Sequence, residues 1–403
     1  MTQRMTGRQR LIAAHRGQPV DRAPIWLREG FPVGEPYPES DHYTMGWMHD
    51  PLYADLFRDI APYADAIRGW GLGGWTNRYL MAPPHAIHAR TTQVAPDVQR
   101  IDGYIETPRG KLTFLTEVKR NVATVWHLKP PVETLEELKM LSEVPWDFKP
   151  SDVEQYIAPG LRTGDEPANI GVTADGRRSD FETSSAELGD RGVMRMGMSS
   201  PIVVISGCMP LEMFLEMSVT HRPLFHELCD EITRRCLCLI DAVFANREMD
   251  TTINFGGSEQ CTPPMMSPRA FDEYVAPYDG RLVCRLKEYG VLVNYHVHGK
   301  VRHALKCLVD MGVDATDPVE PPPAGDVTYA EAREIADGRL TLVGNLEWDE
   351  LCFAEPEQIR RRVREILALG NDRLILGASA GPVTFITPRI ADNYRAWIET
   401  ALE

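Results

Sequence analysis

The sequence predicts an α/β fold, a single (β/α)8 TIM barrel with N-terminal decorations, and three observations carry that expectation. Short apolar runs alternate with amphipathic stretches through the second half, the pattern of parallel strands joined by crossover helices. These runs recur roughly every 20 to 40 residues, and no polar linker divides the 403-residue chain. Enough units exist to close eight strands, at the long end of the size usual for such barrels. The whole of 1–403 therefore reads as one barrel domain, with residues 1–65 as an N-terminal extension and loop.

In chain order, the first half offers the strand candidates VDRAPIWL (20–27), ADAIRGWG (64–71), ETPRGKLTF (106–114), ANIGVTA (168–174) and PIVVIS (201–206). Residues 30–50, rich in Pro, Gly and aromatics, read as a long surface loop of the functional kind. The stretch that begins MPLEMFLEMSVTHRPLFHELC reads as helix. The second half offers DTTINFGG (250–257), GVLVNYHV (290–297), GVDATDPV (312–319), LTLVGNL (340–346) and RLILGAS (373–379) as strands.

The helices between them carry their own start and stop signals. Ser267 and Pro268 open a helix that keeps Phe271, Tyr274, Val275, Tyr278, Leu282 and Leu286 near one stripe and closes at Gly290. Thr328 and Glu331 form a capping box, with Gly338 as the stop. Thr387 and Pro388 repeat the device ahead of an Ile390, Tyr394, Trp397, Ile398 stripe.

Composition narrows the function. The chain is 43% hydrophobic and 25% charged with a net charge of −15, which disfavours nucleic acid and anionic membrane as partners. No stretch approaches the roughly 20 apolar residues of a membrane span, and the N-terminus has no apolar secretory core, so the expected place is cytoplasmic. The eight cysteines contain no C-x-x-C and read as reduced, mostly buried thiols. A small molecule or another protein remains as partner, and a second copy of the chain is open as one.

Barrel chemistry sits where strands end at their C-terminal side. Here those ends deliver Glu259, the pair His296 and His298, the pair Asp317 and Glu320, then Asn345 and Ser379. Alternate strand residues share a face, so His296 and His298 project together while Val297 points outward. Taken alone, the H-x-H reads equally as hydrogen-bonded pocket histidines. Glu259 on the neighbouring strand tilts it toward a metal, zinc before iron, because two imidazoles and a carboxylate with an open position form a catalytic site for either. Cys261 is an alternative ligand whose plainer reading is a buried structural thiol. Asp317 and Glu320 serve equally to line the site or to cap the helices that follow. GWGLGGW (69–75) lacks a phosphate-loop register and reads as a glycine-rich strand end.

The segments TGRQRLIAAHRGQPVDRAPI, GGSEQCTPPMMSPRAFDEYVAPY, NYHVHGK, GVDATDPVEPPPAGD, LVGNLE and TPRIADNYRAW resemble the uroporphyrinogen decarboxylase superfamily. Within it they resemble the zinc-dependent methyltransferases that feed or drain corrinoid proteins. The likeness spans nearly the whole chain and is more specific in its second half. It implies a (β/α)8 barrel. Members that decarboxylate porphyrinogens hold the substrate's carboxylates with an arginine-rich segment; here LREGFPVGEPYPES leaves only Arg28. The thiol methyltransferases bind zinc through H-x-C and a later cysteine. In this chain His296 matches the first ligand, His298 stands where the cysteine would be, and GASAGPVTFITP offers Ser379 and Thr384 in place of the last.

Thiolates drain charge from zinc and keep a bound thiolate nucleophilic, whereas imidazoles with one carboxylate leave a stronger Lewis acid suited to oxygen. The resemblance and this ligand set together imply zinc held by Glu259, His296 and His298, acting on a methoxylated substrate. The methyl group would pass to a corrinoid on a partner protein, since the chain has no D-x-H-x-x-G motif. Asp317, Glu320 and Asn345 would orient the substrate as catalytic residues. Trp26 and Trp70, with Trp47 and Trp75, would wall an aromatic ring beside Ser379. The alternatives are a decarboxylase or lyase acting on a small carboxylate, and a barrel that only binds ligand.

Overall fold

The computed structural model describes residues 4–28, 31, 43–76, 78–159 and 180–403. Eight parallel strands wind into one sheet: Ile25–Trp26 (β1), Ala66–Trp70 (β2), and, after an antiparallel insertion of Ile87–Ala95 (β3), Val98–Thr107 (β4), Gly110–Lys119 (β5) and Val122–Lys129 (β6), then Gly192–Ser199 (β7), Thr251–Gly256 (β8), Leu292–His296 (β9), Ala315–Asp317 (β10), Thr341–Leu346 (β11) and Leu374–Ala378 (β12). The parallel order is β1-β12-β11-β10-β9-β8-β7-β2, a nearly closed (β/α)8 barrel, and β3 to β6 form a separate four-stranded sheet. No helix among the described residues is long and apolar enough to cross a membrane.

Among the described residues the seam without a strand ladder lies between β1 and β2, and a carboxylate spans it. Asp65, 1% exposed, accepts from the Ile25 N–H at 2.8 Å, while its own N–H donates to the Ile25 carbonyl at 2.7 Å. Arg10 and Arg22 supply the positive charge that a buried carboxylate requires, at 2.5 and 2.8 Å. Helix Gly7–His15 brings Leu11 and Ala14 against Trp26, Val193, Ala315, Val343 and Ile375, an inner core separate from the outer one. Because strand side chains alternate, that set fixes which residues face inside: 375 is in, and Leu374 and Leu376 pack outward.

All five second-half strands form within the expected runs. So do β1 and β2, and the Thr328–Glu331 capping box and Thr387 cap are both present. Three readings are corrected. PIVVIS is a helix, Pro201–Ser206, and the strand is the methionine-rich run before it. Pro201 at the first helical position presets the helical φ, and a short buried apolar run fits helix or strand equally. ETPRGKLTF straddles the β4–β5 hairpin of the inserted sheet. The helix expected from Ser267 to Gly290 is two, Arg269–Tyr274 and Ala276–Glu288, and Ser267 does not cap it; Pro277 lacks the N–H that would continue the first. ANIGVTA, and most of the loop expected at 30–50, lie outside the described residues.

A buried chain of hydroxyls ties the outer layer to the strand ends. Ser200 and Tyr295 donate to the two oxygens of Asp279 at 3.0 and 2.5 Å, and Ser258 meets the Tyr295 hydroxyl at 2.9 Å. Asp279 is fully enclosed, and burial pushes its carboxyl from 3.8 up to about 7 despite these donors. The native state therefore keeps a proton that the unfolded chain releases, so stability falls as pH rises between about 4 and 7, by at most roughly 4 kcal/mol. Asp279→Asn should flatten the dependence of unfolding free energy on pH between about 4 and 7. An unchanged slope in denaturant titrations would show that Asp279 is ionised throughout.

Candidate metal centre

Strand register places the site. β8, β9 and β10 pair Gly256 with His296 and His296 with Asp317. Along β9 and the two residues that follow it, Val293, Tyr295 and Val297 are buried in the outer core, so Asn294, His296 and His298 take the inner face. Beyond β8 the chain reverses at Gly257, whose φ of +87° is left-handed and suits glycine. Its N–H donates to the His296 carbonyl at 3.1 Å, and this turn returns Glu259 to the histidines.

The ligand atoms of Glu259, His296 and His298 all lie within 4.8 Å of one another. Nε2 of His296 is 3.7 Å from Oε1 of Glu259, and the two imidazoles stand nearly perpendicular, 81°, with centroids 4.7 Å apart. Each ring is held from behind by its own carboxylate: Nδ1 of His296 lies 3.1 Å from Oδ2 of Asp317, and Nδ1 of His298 lies 2.8 Å from Oε1 of Glu320. A carboxylate partner makes each Nδ1 the donor, which leaves each Nε2 as a lone pair for an ion.

The supporting carboxylates are themselves anchored. Asp317, 1% exposed, accepts from the guanidinium of Arg28 and the amide of Asn294, and Asn294 also donates to Asn254 at 2.8 Å. Burial would push the Asp317 carboxyl up, but Arg28, His296 and Arg195 outweigh it and hold it well below the usual range. Glu320 takes the Gly299 N–H at 2.6 Å. Burial opposes its charge too, yet His298 and that N–H hold it low. Burial likewise opposes protonation of His298, and Glu320 raises its pKa nonetheless. Two imidazoles backed by carboxylates, plus one facing carboxylate, form a donor set suited to zinc or non-haem iron.

The other expected residues fall into two groups. Ser379, next after β12, continues the ladder through its N–H to the Leu346 carbonyl at 2.7 Å and carries the inward parity of Ile375. Its hydroxyl donates to Glu347 at 2.9 Å. Trp26 lies inside the barrel, flanked by Arg28 and Arg195, each 4.5 Å from its ring. Asn345 is committed, donating to the Val319 carbonyl at 2.5 Å and accepting from Arg362. Trp70 packs outward against Phe181 and donates to Thr251, and Trp47 and Trp75 are core. Cys261 is buried outside the cluster, its thiol pushed up by burial.

Sequence reasoning passed over Asn254, Asn294 and Glu347, and counted Arg28 only as a remnant. The signal for Asn294 was its place two before His296 on the same strand face. A second group, Asp272, His303 and Cys307, lies on the outer helices and is hydrogen-bonded within itself at 2.8, 3.4 and 3.6 Å. A cleft of about 640 Å³ along the β1–β2 seam includes Trp26 and Arg28 but none of Glu259, His296 and His298.

Glu320 uses both oxygens, one for His298 and one for Gly299, and glutamine offers only one acceptor. Glu320→Gln should weaken zinc binding roughly 10- to 100-fold in chelator competition, with little change in melting temperature. Unaltered affinity would mean that His298 does not depend on this carboxylate.

Residues 181–402 match the family model described as Uroporphyrinogen decarboxylase (URO-D), more than half of the chain and all of β7 to β12. The methylcobamide:CoM methyltransferase MtaA of Methanosarcina barkeri is 25% identical over 193 residues, 47% of this chain and 53% of that protein. The chain thus spans about half the length of this curated relative. A solved methyltransferase from Methanosarcina mazei covers 98% of both chains with a TM-score of 0.55 at 17% identity, a likeness of fold. On the strength of that family match, which takes in both histidines, Glu259 and the carboxylates behind them, this chain belongs to the uroporphyrinogen decarboxylase family.

Proposed function

We propose that the protein is a zinc-dependent methyltransferase that takes the methyl group of a methoxylated substrate and delivers it to a reduced corrinoid on a partner protein. The observation that carries this reading is the pair of imidazoles, each fixed through Nδ1 by a buried or half-buried carboxylate, converging on Glu259. Similarity to a methyltransferase named for methylcobamide supports the class of reaction.

A zinc ion held by Glu259, His296 and His298 would supply positive charge against the charge that develops on a departing oxygen. Such a ligand set contains no thiolate, which favours oxygen over sulfur as the leaving atom. The chain's own groups do the rest. Asp317 and Glu320 keep both rings in one tautomer, and Arg28 keeps Asp317 ionised. Space for substrate remains on the inner face of β7, where a Cβ at Gly197 would meet nothing within 4 Å. The C-terminal mouth is the face on which a corrinoid protein would dock.

In the transfer the carbon–oxygen bond breaks with its electron pair left on oxygen, and Co(I) supplies the pair for the new cobalt–carbon bond. Decarboxylation of a small carboxylate finds less support, because Arg28, the arginine left in the corresponding segment, is paired with Asp317.

Zinc content and demethylation of a methoxyarene panel with Co(I) cobalamin as acceptor test the reading. Wild type should hold zinc and turn over. His298→Ala should lose the metal and roughly 100-fold or more of the rate, while His303→Ala on the outer cluster retains both. Retention of zinc and rate by His298→Ala would remove the proposed centre.

A further inference from the structure

Glu347 backs neither imidazole of the metal centre, yet its surroundings are unlike those of an ordinary loop acid. Oε2 accepts from the Ser379 hydroxyl at 2.9 Å, and that hydroxyl in turn accepts from the Trp348 N–H at 2.9 Å. Oε1 is buried and has no hydrogen-bond partner among the described residues, a costly state for a carboxylate and a tolerable one for a carboxylic acid. The pair is tied to the carboxylate behind His296 through Arg28, which donates to the Ser379 carbonyl at 3.2 Å and to Asp317. Glu320, the carboxylate behind His298, acts on Glu347 as a like charge.

We propose that Glu347 is a proton reservoir that feeds the leaving oxygen of the substrate through the Ser379 hydroxyl. This rests on the methyl-transfer reading above. With a proton on Oε2, the hydrogen bond between the two side chains reverses. Glu347 donates to Ser379 Oγ, which keeps the Trp348 N–H as its second donor, and the Ser379 hydrogen is freed for the inside of the barrel. When the carbon–oxygen bond breaks, oxygen takes the Ser379 proton, Ser379 takes the Glu347 proton, and solvent later reprotonates Glu347. Burial, followed by the like charges of Glu320, Glu350 and Asp349, pushes the Glu347 carboxyl up to about 7, with the Ser379 hydrogen bond opposing. The acid form is the active one, so the rate should fall as pH rises through that value.

Two measurements test this. In an Asp279→Asn background, which removes the other carboxyl pushed up to about 7, difference infrared spectra of the metal-free protein should show a protonated carboxyl that disappears between about pH 6 and 8.5 and is absent once Glu347→Gln is added. With zinc and Co(I) cobalamin present, Glu347→Gln should lose roughly 100-fold in rate on ethers of weakly acidic phenols, much less on 4-nitroanisole, and the falling limb of its pH profile. Glu347→Asp should restore part of that limb, and zinc content should not change. An active wild type whose pH profile and leaving-group dependence survive Glu347→Gln overturns this assignment alone, as does the absence of the carboxyl band. A wild type with zinc that demethylates no ether overturns the methyl-transfer reading and the relay together.

Discussion

The register of three neighbouring strands governs the rest of the structure. Gly256, His296 and Asp317 lie side by side across β8, β9 and β10, so the backbone ladder sets a turn, an imidazole and its supporting carboxylate next to each other before any side chain chooses a rotamer. A slip of one residue on β9 would send His296 and His298 into the helix layer and bring Tyr295 and Val297 inside. The apolar parity of β9 forbids that slip, since Val293 and Tyr295 are completely buried on the outer side. The hydrophobic pattern that builds the barrel is thereby the same one that aims the histidines.

Charge completes what register begins. Arg28 and Asp317 are 3% and 1% exposed, and a pair so deeply buried adds little to stability because desolvation offsets its attraction. Its effect is local. Arg28 holds Asp317 ionised, ionised Asp317 fixes His296, and Arg28 also reaches β12 through Ser379. Arg28 itself sits at a φ of +69°, uncommon for a residue with a Cβ. The chain accepts that conformation where it brings the guanidinium under the mouth.

How much of this was legible depended on range. The five second-half strands, both caps and the grouping of Glu259, His296 and His298 could be read because each rests on a local pattern: periodicity, a capping residue, or a polar group at a strand end. PIVVIS failed because a buried apolar hexamer has no period of its own, and Ser200–Pro201 decided it for helix. Trp70 failed because parity near a strand end needs the inner core as reference, and Ile67, not Trp70, belongs to that core. The supporting layer, Arg28 on Asp317 and Ser379 on Glu347, joins residues 289 and 32 positions apart. No spacing rule reaches across such a gap, so only the closed barrel reveals it.

On the proposed reading, Glu259, His296 and His298 together hold one divalent ion. X-ray absorption at the zinc edge of the zinc-loaded protein addresses it most directly. The proposed ligand set gives two imidazole nitrogens and a carboxylate oxygen at about 2.0 to 2.2 Å, one further light atom, and no sulfur. A sulfur shell near 2.3 Å would instead assign the metal to a cysteine and rule out this ligand set.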